Sequence, residues 1–336
     1  MNASPSRPGG VTPRTVQIGL GAVWLFDGLL QLQPKMFGSA FADQVVRPSA
    51  AGQPAWLGWP IDEMARLVAA NPAAVNAVFA AVQILIGIGL LRRQTVRPAL
   101  ALSFAWAAGV WAFGEGFGMI FTGTASPLTG APGAVLLYAL IGLLVWPCRR
   151  AAPPGALAPV VGAGGGVASA AAAGPLGERG ARLAWALVWL GMAVLWVTPA
   201  NDGAGSVSSA ITAAAGSSPA WLAHAQEWLA SQLAGDGAVV ASVLAVLSAV
   251  IAVGPLVARR ATVFLVAGAA LSLDFWVFGQ SLGGLTSGIA TDPNAGPLFV
   301  LLALALFPAA DRARLGADVV RRPVASGTVR VARAAP

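Results

Sequence analysis

The sequence predicts an all-α integral membrane protein with eight transmembrane helices, arranged as a tandem parallel repeat of two four-helix bundles. Three observations support this fold class. Of the 336 residues, 57% are hydrophobic and 10% are charged, whereas soluble globular chains carry about 25% charged residues. Long segments contain no charged residue, and the chain repeats itself at a fixed offset. A lipid bilayer is therefore the expected environment.

The eight predicted spans are apolar runs of about 20 residues, which is the length that a helix needs to cross the hydrocarbon core. They cover residues 16–34, 72–91, 98–114, 131–147, 183–199, 237–257, 261–279 and 295–309. The first run is longer than the apolar part of a signal peptide and has an internal counterpart in the second half. We therefore interpret it as a span and not as a cleaved signal.

Basic residues predict the orientation of these spans, because Lys and Arg accumulate in cytoplasmic loops. With the N-terminus in the cytoplasm, only Lys35, Arg47 and Arg66 of the 20 basic residues lie outside. The net charge of +7 is thus distributed over several cytoplasmic loops, which argues against nucleic acid as a partner. We expect a multi-pass protein of the bacterial plasma membrane with both termini in the cytoplasm.

The internal repeat is visible because Trp276 lies 165 positions after Trp111, and the same offset pairs many further residues. The tetrapeptide PAWL occurs twice at this spacing, and Pro132 pairs with Pro297 where the last helix of each half should begin. A stretch rich in glycine and threonine precedes each of these prolines. It should form the outer turn between the third and fourth helix of each half.

The repeat divides the chain into four parts. They are a first four-helix membrane unit at 1–150, a cytoplasmic Ala/Gly/Pro linker at 151–180, a second four-helix membrane unit at 181–311 and a basic cytoplasmic tail at 312–336. Each unit has an even number of spans, so both units have the same orientation and the pseudo-symmetry axis should lie along the membrane normal. This arrangement disfavours a transporter built from inverted repeats.

The first unit contains LGAVWLFDGLLQLQPKMF at 20–37 and NAVFAAVQILIGIGLLRRQTVRPALALSFAW at 76–106. These stretches resemble the DoxX family with its DoxD-like and MauE-like relatives, whose members have four transmembrane helices. Gln31 stands where the family has a lysine near the end of the first helix. DoxD-like members are linked to quinone-coupled thiosulfate oxidation, and MauE-like members to maturation of a periplasmic enzyme. The resemblance therefore implies a membrane or periplasmic redox protein as partner and a quinone as the cofactor to test, and it assigns no catalytic residue.

Three acidic residues in or beside the predicted spans are the first candidates for a site, because an ionisable group inside a membrane is costly and usually functional. Asp27 lies midway along the first span, Glu115 ends the third, and Asp274 lies near the outer end of the seventh. Glu115 pairs with Gln280 at the repeat offset, which suggests one working unit and one scaffold unit. The structural alternative makes Asp27 a hydrogen-bonded core residue and leaves the other two acids at the level of the lipid headgroups.

Tryptophan is abundant, with 12 residues, and only some of them are expected to line a site. Those at predicted span ends should form the interfacial aromatic belt. They are Trp56, Trp59, Trp146, Trp196, Trp221 and Trp228. The deeper Trp24, Trp106 and Trp111 should instead enclose, with Asp27 and Glu115, a polar pocket that opens outward.

The inventory of reactive side chains excludes several functions. His224 and Cys148 are the only histidine and cysteine, so the chain alone cannot build an intrachain disulfide, a bis-histidine haem site or a zinc cluster. We expect no metal site, and a catalytic role for the isolated chain is disfavoured.

The favoured function is an accessory membrane subunit whose pocket binds a quinone-like or lipid-like molecule and supports a partner's redox or maturation chemistry. The candidate ligand-binding residues are Trp24, Asp27, Trp106, Trp111, Glu115, Asp274 and Gln280. One alternative is a small-solute or proton-coupled transporter or channel that uses the three acidic residues. A second alternative is a non-catalytic membrane scaffold.

Overall fold

The fold is all-helical, as predicted, in the part of the chain that the computed structural model describes, which is residues 11–148, 169–258 and 261–308. Within these ranges no strand is formed. The linker predicted at 151–180 lies outside the described residues up to residue 168, and the basic tail predicted at 312–336 lies outside them entirely.

The described residues form eleven α-helices joined by short turns. The helices are α1 (Pro13–Leu30), α2 (Ala55–Ala70), α3 (Pro72–Leu91), α4 (Val96–Phe113), α5 (Ala134–Leu144), α6 (Gly177–Trp196), α7 (Ser206–Ala215), α8 (Ala220–Gln232), α9 (Gly237–Val257), α10 (Ala261–Phe278) and α11 (Ala295–Leu306). A short π-helix at Phe41–Val46 and several single 3₁₀ turns occupy the connections.

Local sequence explains where the first core helices begin. The Thr12 hydroxyl accepts from the backbone N–H of Thr15 at 3.1 Å, and the Thr15 hydroxyl accepts in return from the N–H of Thr12 at 3.4 Å. This reciprocal pair satisfies two N–H groups that have no partner within the helix. Asn71 caps α3 by accepting from the N–H of Ala74 at 3.2 Å. Both helices have proline at the first position, where its missing N–H costs nothing.

Four of the described helices have the length and composition of a membrane span. They are α3, α4 with the turn that continues it to Thr122, α9 and α10, and they coincide with four of the eight predicted spans. The other four predicted spans overlap with α1, α5, α6 and α11. At 1.5 Å per residue, the 11 residues of α5 and the 12 of α11 rise about 17–18 Å, which is less than the roughly 30 Å of a hydrocarbon core.

The two shortest core helices, α5 and α11, pack against each other at the centre of the bundle. Helices α1 and α6 contact both of them, α3 and α4 pack on one side, and α9 and α10 pack on the other. Large aromatic side chains fill this centre and are almost completely buried. They include Trp24, Tyr138, Trp185, Trp189, Trp196 and Phe299. Each such ring removes about 150–250 Å² from solvent, so these residues dominate the packing of the core.

Trp196 corrects one expectation from the sequence. It was placed in the aromatic belt, but its side chain is fully buried and its ring lies 5.6 Å from that of Phe275. The reason is that Trp196 lies on the inward side of the last turn of α6, against Phe275 of α10, whereas Val194 of the same turn is exposed. Four other tryptophans of the predicted belt are between 62% and 66% exposed on α2 and α8. They are Trp56, Trp59, Trp221 and Trp228.

Three arginine side chains donate hydrogen bonds to backbone carbonyl groups at or near the ends of neighbouring helices. Arg14 at the start of α1 donates to the last carbonyl groups of α3. Arg97 at the start of α4 donates to Pro147 after α5 at 2.7 Å, and Arg182 in α6 donates to Pro255 in α9 at 3.0 Å. Such contacts are favourable because the last carbonyl groups of a helix lack partners and carry partial negative charge. These contacts join the start of α1 to the end of α3, the start of α4 to the segment after α5, and the first turns of α6 to the end of α9.

Candidate functional site

The turn after α4 positions Glu115. Its backbone is left-handed at Phe117, Gly118 and Met119, with φ angles of 55°, 64° and 60°. A Cβ atom on Gly118 would lie 2.3 Å from the carbonyl oxygen of Pro132, so only glycine permits this close approach. The chain therefore folds back onto the start of α5, and Glu115 lies beneath the turn.

Trp111 fixes the same turn. Its indole Nε1 donates to the carbonyl oxygen of Pro132, 21 residues away, at 2.9 Å. In the second half, Trp276 donates to Pro293, 17 residues away, at 2.7 Å. The contact thus matches Pro132 with Pro293 and not with Pro297, its partner at the repeat offset. The second turn is shorter, so the equivalence shifts by four residues from this point onward.

A cavity of about 300 Å³ lies between α1, α3, α4 and α5, under the short helix at Phe41–Val46. We name it the Asp27 cavity. Aromatic walls are provided by Trp24, Phe79, Trp106 and Tyr138. Polar groups are provided by Asp27, Gln31, Gln83, Glu115 and Asp292. An apolar cavity with a few convergent polar groups is the usual form of a small-molecule site.

Asp27 lies on α1 and is 1% exposed. Its Oδ2 accepts a hydrogen bond from the Tyr138 hydroxyl at 2.7 Å, whereas its Oδ1 has no protein partner. The Tyr138 ring lies 4.5 Å from that of Trp24, whose Nε1 in turn donates to the hydroxyl of Ser103 at 3.1 Å. The pair is thus held in one orientation, and one carboxylate oxygen remains free in the cavity.

Glu115 lies over the N-terminus of α5. Its Oε1 accepts from the backbone N–H of Val135 at 3.2 Å, where the helix dipole favours a negative group. The Oε2 atom has no protein partner. Gly133 makes room for this carboxyl group, because a Cβ at that position would lie 2.2 Å from Oε2. Glu115 therefore also keeps one free oxygen.

Three further buried polar atoms that line the Asp27 cavity lack a protein partner. They are Oε1 of Gln31, Oε1 of Gln83 and Nε1 of Trp106. Buried polar atoms in folded proteins are almost always paired, and each exception calls for an explanation. Five of the eleven such atoms among the described residues belong to side chains that line this one cavity, where a ligand or water can complete their hydrogen bonding.

Asp292 is a site residue that the sequence did not single out. It belongs to the turn between α10 and α11, in the second half, and it lines the cavity of the first half. Its Oδ2 accepts from the hydroxyl of Thr291 at 2.8 Å, and its Oδ1 accepts from the N–H of Asn294 at 2.7 Å. Burial raises the pKa of Asp292 above its ordinary value. The second half thus contributes a carboxyl group to the site of the first.

A second cavity of about 240 Å³ adjoins the Asp27 cavity on the side of the turn after α4. Its wall includes Gly118, Thr124 and Ser126 of that turn. Glu115 and Asp292 line both cavities. These two carboxyl groups therefore lie between the turn and the interior of the bundle.

Two of the polar lining positions of the first half have apolar side chains at the matching positions of the second half. At the repeat offset, Met192 takes the position of Asp27, and Trp196 takes that of Gln31. Both replacements are almost completely buried, at 1% and 0% exposure. These two polar positions of the first half are therefore apolar in the second, whereas Gln83 is matched by the buried Ser248 and Glu115 by the buried Gln280.

Less polar side chains also stand at the counterparts of Glu115 and Tyr138, around the turn between α10 and α11. Gln280 accepts from a backbone N–H in the first turn of α11 at 3.3 Å, which is the geometry of Glu115 without its charge. Phe299 stands against Trp189, with ring centroids 5.2 Å apart, where the first unit has Tyr138. These two contacts thus have counterparts in both halves, while the matching positions of the second half lack the hydroxyl and the carboxyl groups of Asp27 and Glu115.

Four of the seven predicted candidates line the Asp27 cavity. They are Trp24, Asp27, Trp106 and Glu115. Trp111 stabilises the turn, and Gln280 lies in the matching turn of the second unit. Asp274 is exposed on α10 and does not line this cavity, because the neighbouring Phe275 takes the inward-facing position. Tyr138, which the sequence analysis passed over, is the only tyrosine of the chain.

Comparison with protein-family models, with curated proteins and with solved structures found no match to this chain. Among the described residues, no group of three or more His, Cys, Asp or Glu side chains is arranged to hold a metal ion. The chemistry of the site must therefore be argued from its own geometry. That geometry offers free carboxylate and amide oxygens, one free indole N–H and aromatic walls.

Proposed function

We propose that this chain is an eight-span membrane protein whose first unit binds a quinone-like or lipid-like molecule in the Asp27 cavity. In this role it serves as an accessory subunit for the redox or maturation chemistry of a membrane or periplasmic partner. One observation carries the proposal: buried polar atoms without partners converge on an otherwise apolar cavity. Each unpaired buried group costs about 1–3 kcal/mol, so a ligand that pairs them is stabilised there.

Helix positions support the proposed duplication. Val96–Phe113 and Ala261–Phe278 are offset by 165 positions at both ends, and Pro72 and Gly237 open α3 and α9 at the same offset. The central helices α5 and α11 are short, but they lie inside the bundle. Non-helical backbone at membrane depth is tolerated where protein surrounds it, so a shorter helix with extended flanks can complete a span.

The asymmetry between the units supports one working unit and one scaffold unit. A duplicated chain needs only one copy of a ligand site, and the other copy is then free to fill its interior with apolar side chains. Met192 and Phe299 are such fillings. The resemblance of the first unit to the DoxX family is in keeping with this division, because that family has four helices and accessory roles.

The test is a comparison of the molecules that purify with the protein. Wild-type protein and Asp27→Met, which copies Met192 of the second unit, are purified in mild detergent, and their small-molecule content is identified by mass spectrometry. Glu227→Gln, an exposed acid-to-amide change on α8, is the matched control. We expect a quinone or lipid at close to one per chain in wild type and control, and at least a tenfold loss in Asp27→Met. Equal content in all three proteins would leave a non-catalytic scaffold as the better interpretation.

Transport is the second candidate, because the carboxyl groups of Glu115 and Asp292 connect the outer turns with the cavity of Asp27. The packing on the opposite side of the cavity argues against transport. Below the cavity the core contains fully buried apolar side chains, namely Leu20, Ile86, Leu90 and Ile141. A transporter must open this layer. Proteoliposomes that acidify in response to a proton gradient, and that lose the response in Glu115→Gln, would favour transport over binding alone.

A further inference from the structure

We infer that the ligand of the Asp27 cavity carries a protonated primary amine, which Asp27 and Glu115 bind with their free carboxylate oxygens. This inference rests on the proposed binding function and specifies the chemistry of the ligand. It follows from three properties of the cavity: its charge, its hydrogen-bonding groups and its walls.

The charge of the lining is one-sided. Asp27, Glu115 and Asp292 are acidic, and none of the described residues that line the cavity is Lys, Arg or His. Buried carboxylates normally have a cationic partner, because burying an unpaired charge is very costly. The protein provides no such partner here. A ligand with a positive charge would provide it.

Acceptors predominate among the buried unpartnered atoms of the lining. Four of these atoms are oxygens, on Asp27, Gln31, Gln83 and Glu115, and one is a donor, Nε1 of Trp106. An ammonium group has three N–H donors and no acceptor, so it can satisfy several of these oxygens at once. A quinone ring offers only carbonyl acceptors, which leave these oxygens unpaired.

Aromatic faces provide the third argument. Trp24 and Tyr138 lie on one wall, and Trp106 lies against Phe79 with ring centroids 4.9 Å apart on another. Cations are attracted to the faces of aromatic rings, most strongly to tryptophan, and the attraction grows when water is excluded. Carboxylates combined with aromatic walls are a suitable environment for an ammonium group on an apolar body.

The size of the cavity limits the ligand. Water occupies about 30 Å³ in the liquid, so 300 Å³ holds on the order of ten non-hydrogen atoms. This is enough for a headgroup and the first part of an alkyl chain. Two sources have this chemistry, namely the ethanolamine headgroup of a membrane phospholipid and a free amphiphilic amine.

The experiment measures equilibrium binding of decylamine to the purified full chain in detergent at pH 7. A primary alkylamine is protonated there, since the comparable amine of lysine has a pKa of about 10.4. N-acetyldecylamine has the same chain without the charge, and decylubiquinone represents the quinone class. We expect decylamine to bind at least tenfold more tightly than N-acetyldecylamine. This preference should be lost in Asp27→Asn and in Glu115→Gln, and should remain in Glu227→Gln.

Two results would overturn the inference, and only the second would also overturn the proposed function. If decylubiquinone or N-acetyldecylamine binds as tightly as decylamine and Asp27→Asn weakens that binding, the cavity is a ligand site but not an amine site. If none of the three probes binds to the wild-type protein, both the inference and the proposed function fail.

Once decylamine binding is established, measurements in nanodiscs distinguish the two sources of the amine. Weaker decylamine binding in phosphatidylethanolamine than in phosphatidylcholine indicates a lipid headgroup, and equal binding indicates a free amine.

Discussion

Glu115→Gln converts a carboxyl group of the first unit into the amide that the second unit already has. Glu115 accepts a hydrogen bond from the N–H of Val135 at 3.2 Å. A glutamine at position 115 can keep this bond, because the amide oxygen of Gln280 accepts from a backbone N–H at the start of α11 at 3.3 Å. The free energy of unfolding should therefore change by less than about 1 kcal/mol. The amide cannot, however, carry the negative charge with which Glu115 can pair a cationic ligand. A hydrogen bond to a charged group contributes about 1.5–3 kcal/mol against about 0.5–1.5 for a neutral one. Ligand binding should weaken by about 1.4 kcal/mol, which is roughly tenfold.

Trp111→Ala is the counterpart that should act on stability. It removes the bond to Pro132 and the ring contact with Phe117, whose centroid is 4.7 Å away, so unfolding should become easier by about 3 kcal/mol. The assay combines thermal melts in detergent with decylamine binding for both variants. The reasoning is refuted if Glu115→Gln binds like wild type, or if it melts as early as Trp111→Ala.

Three further predictions concern topology, pH and the outer turn. In a cysteine-free background, Thr124→Cys should react with an impermeant thiol reagent added outside cells, and Gln94→Cys should react only after the membrane is opened. The reverse pattern would contradict the predicted orientation. Burial raises the pKa of Asp292 above its ordinary 3.8. The stability that the protonated group contributes is therefore fully present below its ordinary pKa and is lost as the pH rises through the raised pKa of the folded protein. Asp292→Asn should therefore melt with a weaker pH dependence than wild type from about pH 4 upward, and parallel curves would contradict this. Gly118→Ala should destabilise by about 2 kcal/mol or more in thermal melts, because its φ of 64° and the nearby carbonyl leave no room for a Cβ. Gly109→Ala on α4, where a Cβ meets no atom within 4 Å, should be neutral or stabilising by up to about 1 kcal/mol, and equal losses in both variants would argue against a steric cause.

Hydropathy predicted the long helices well, because an uninterrupted apolar run has one stable form in a bilayer. The bounds of α3 and α9 are those of the predicted spans 72–91 and 237–257. The prediction was less accurate for α5, placed at 131–147 but helical only at Ala134–Leu144. Gly133 has a φ of 115° and Val145 leaves the helical region, so the apolar residues on both sides lie outside the helix. Composition alone cannot separate such flanks from helix.

The two acids of the first unit could be found from the sequence, because a carboxyl group in an apolar run must be explained. Tyr138 could not be separated from an ordinary core aromatic, although it is the only tyrosine. Asp292 depends on contact between the units, such as the bond of 2.9 Å from Gln33 to the carbonyl of Ala290. Its position is a product of long-range packing, and nothing in its local sequence predicts that it enters the cavity of the other half.

The central claim is that the first unit contains a ligand site and the second does not. An experimental density map of the protein, purified from its native membrane, tests this claim most directly. The account predicts elongated non-protein density in the Asp27 cavity, in contact with Asp27 and Glu115, and continuous side-chain density around Met192 and Phe299 with no added molecule. Water alone in the Asp27 cavity, or an equivalent ligand beside Met192, would contradict it.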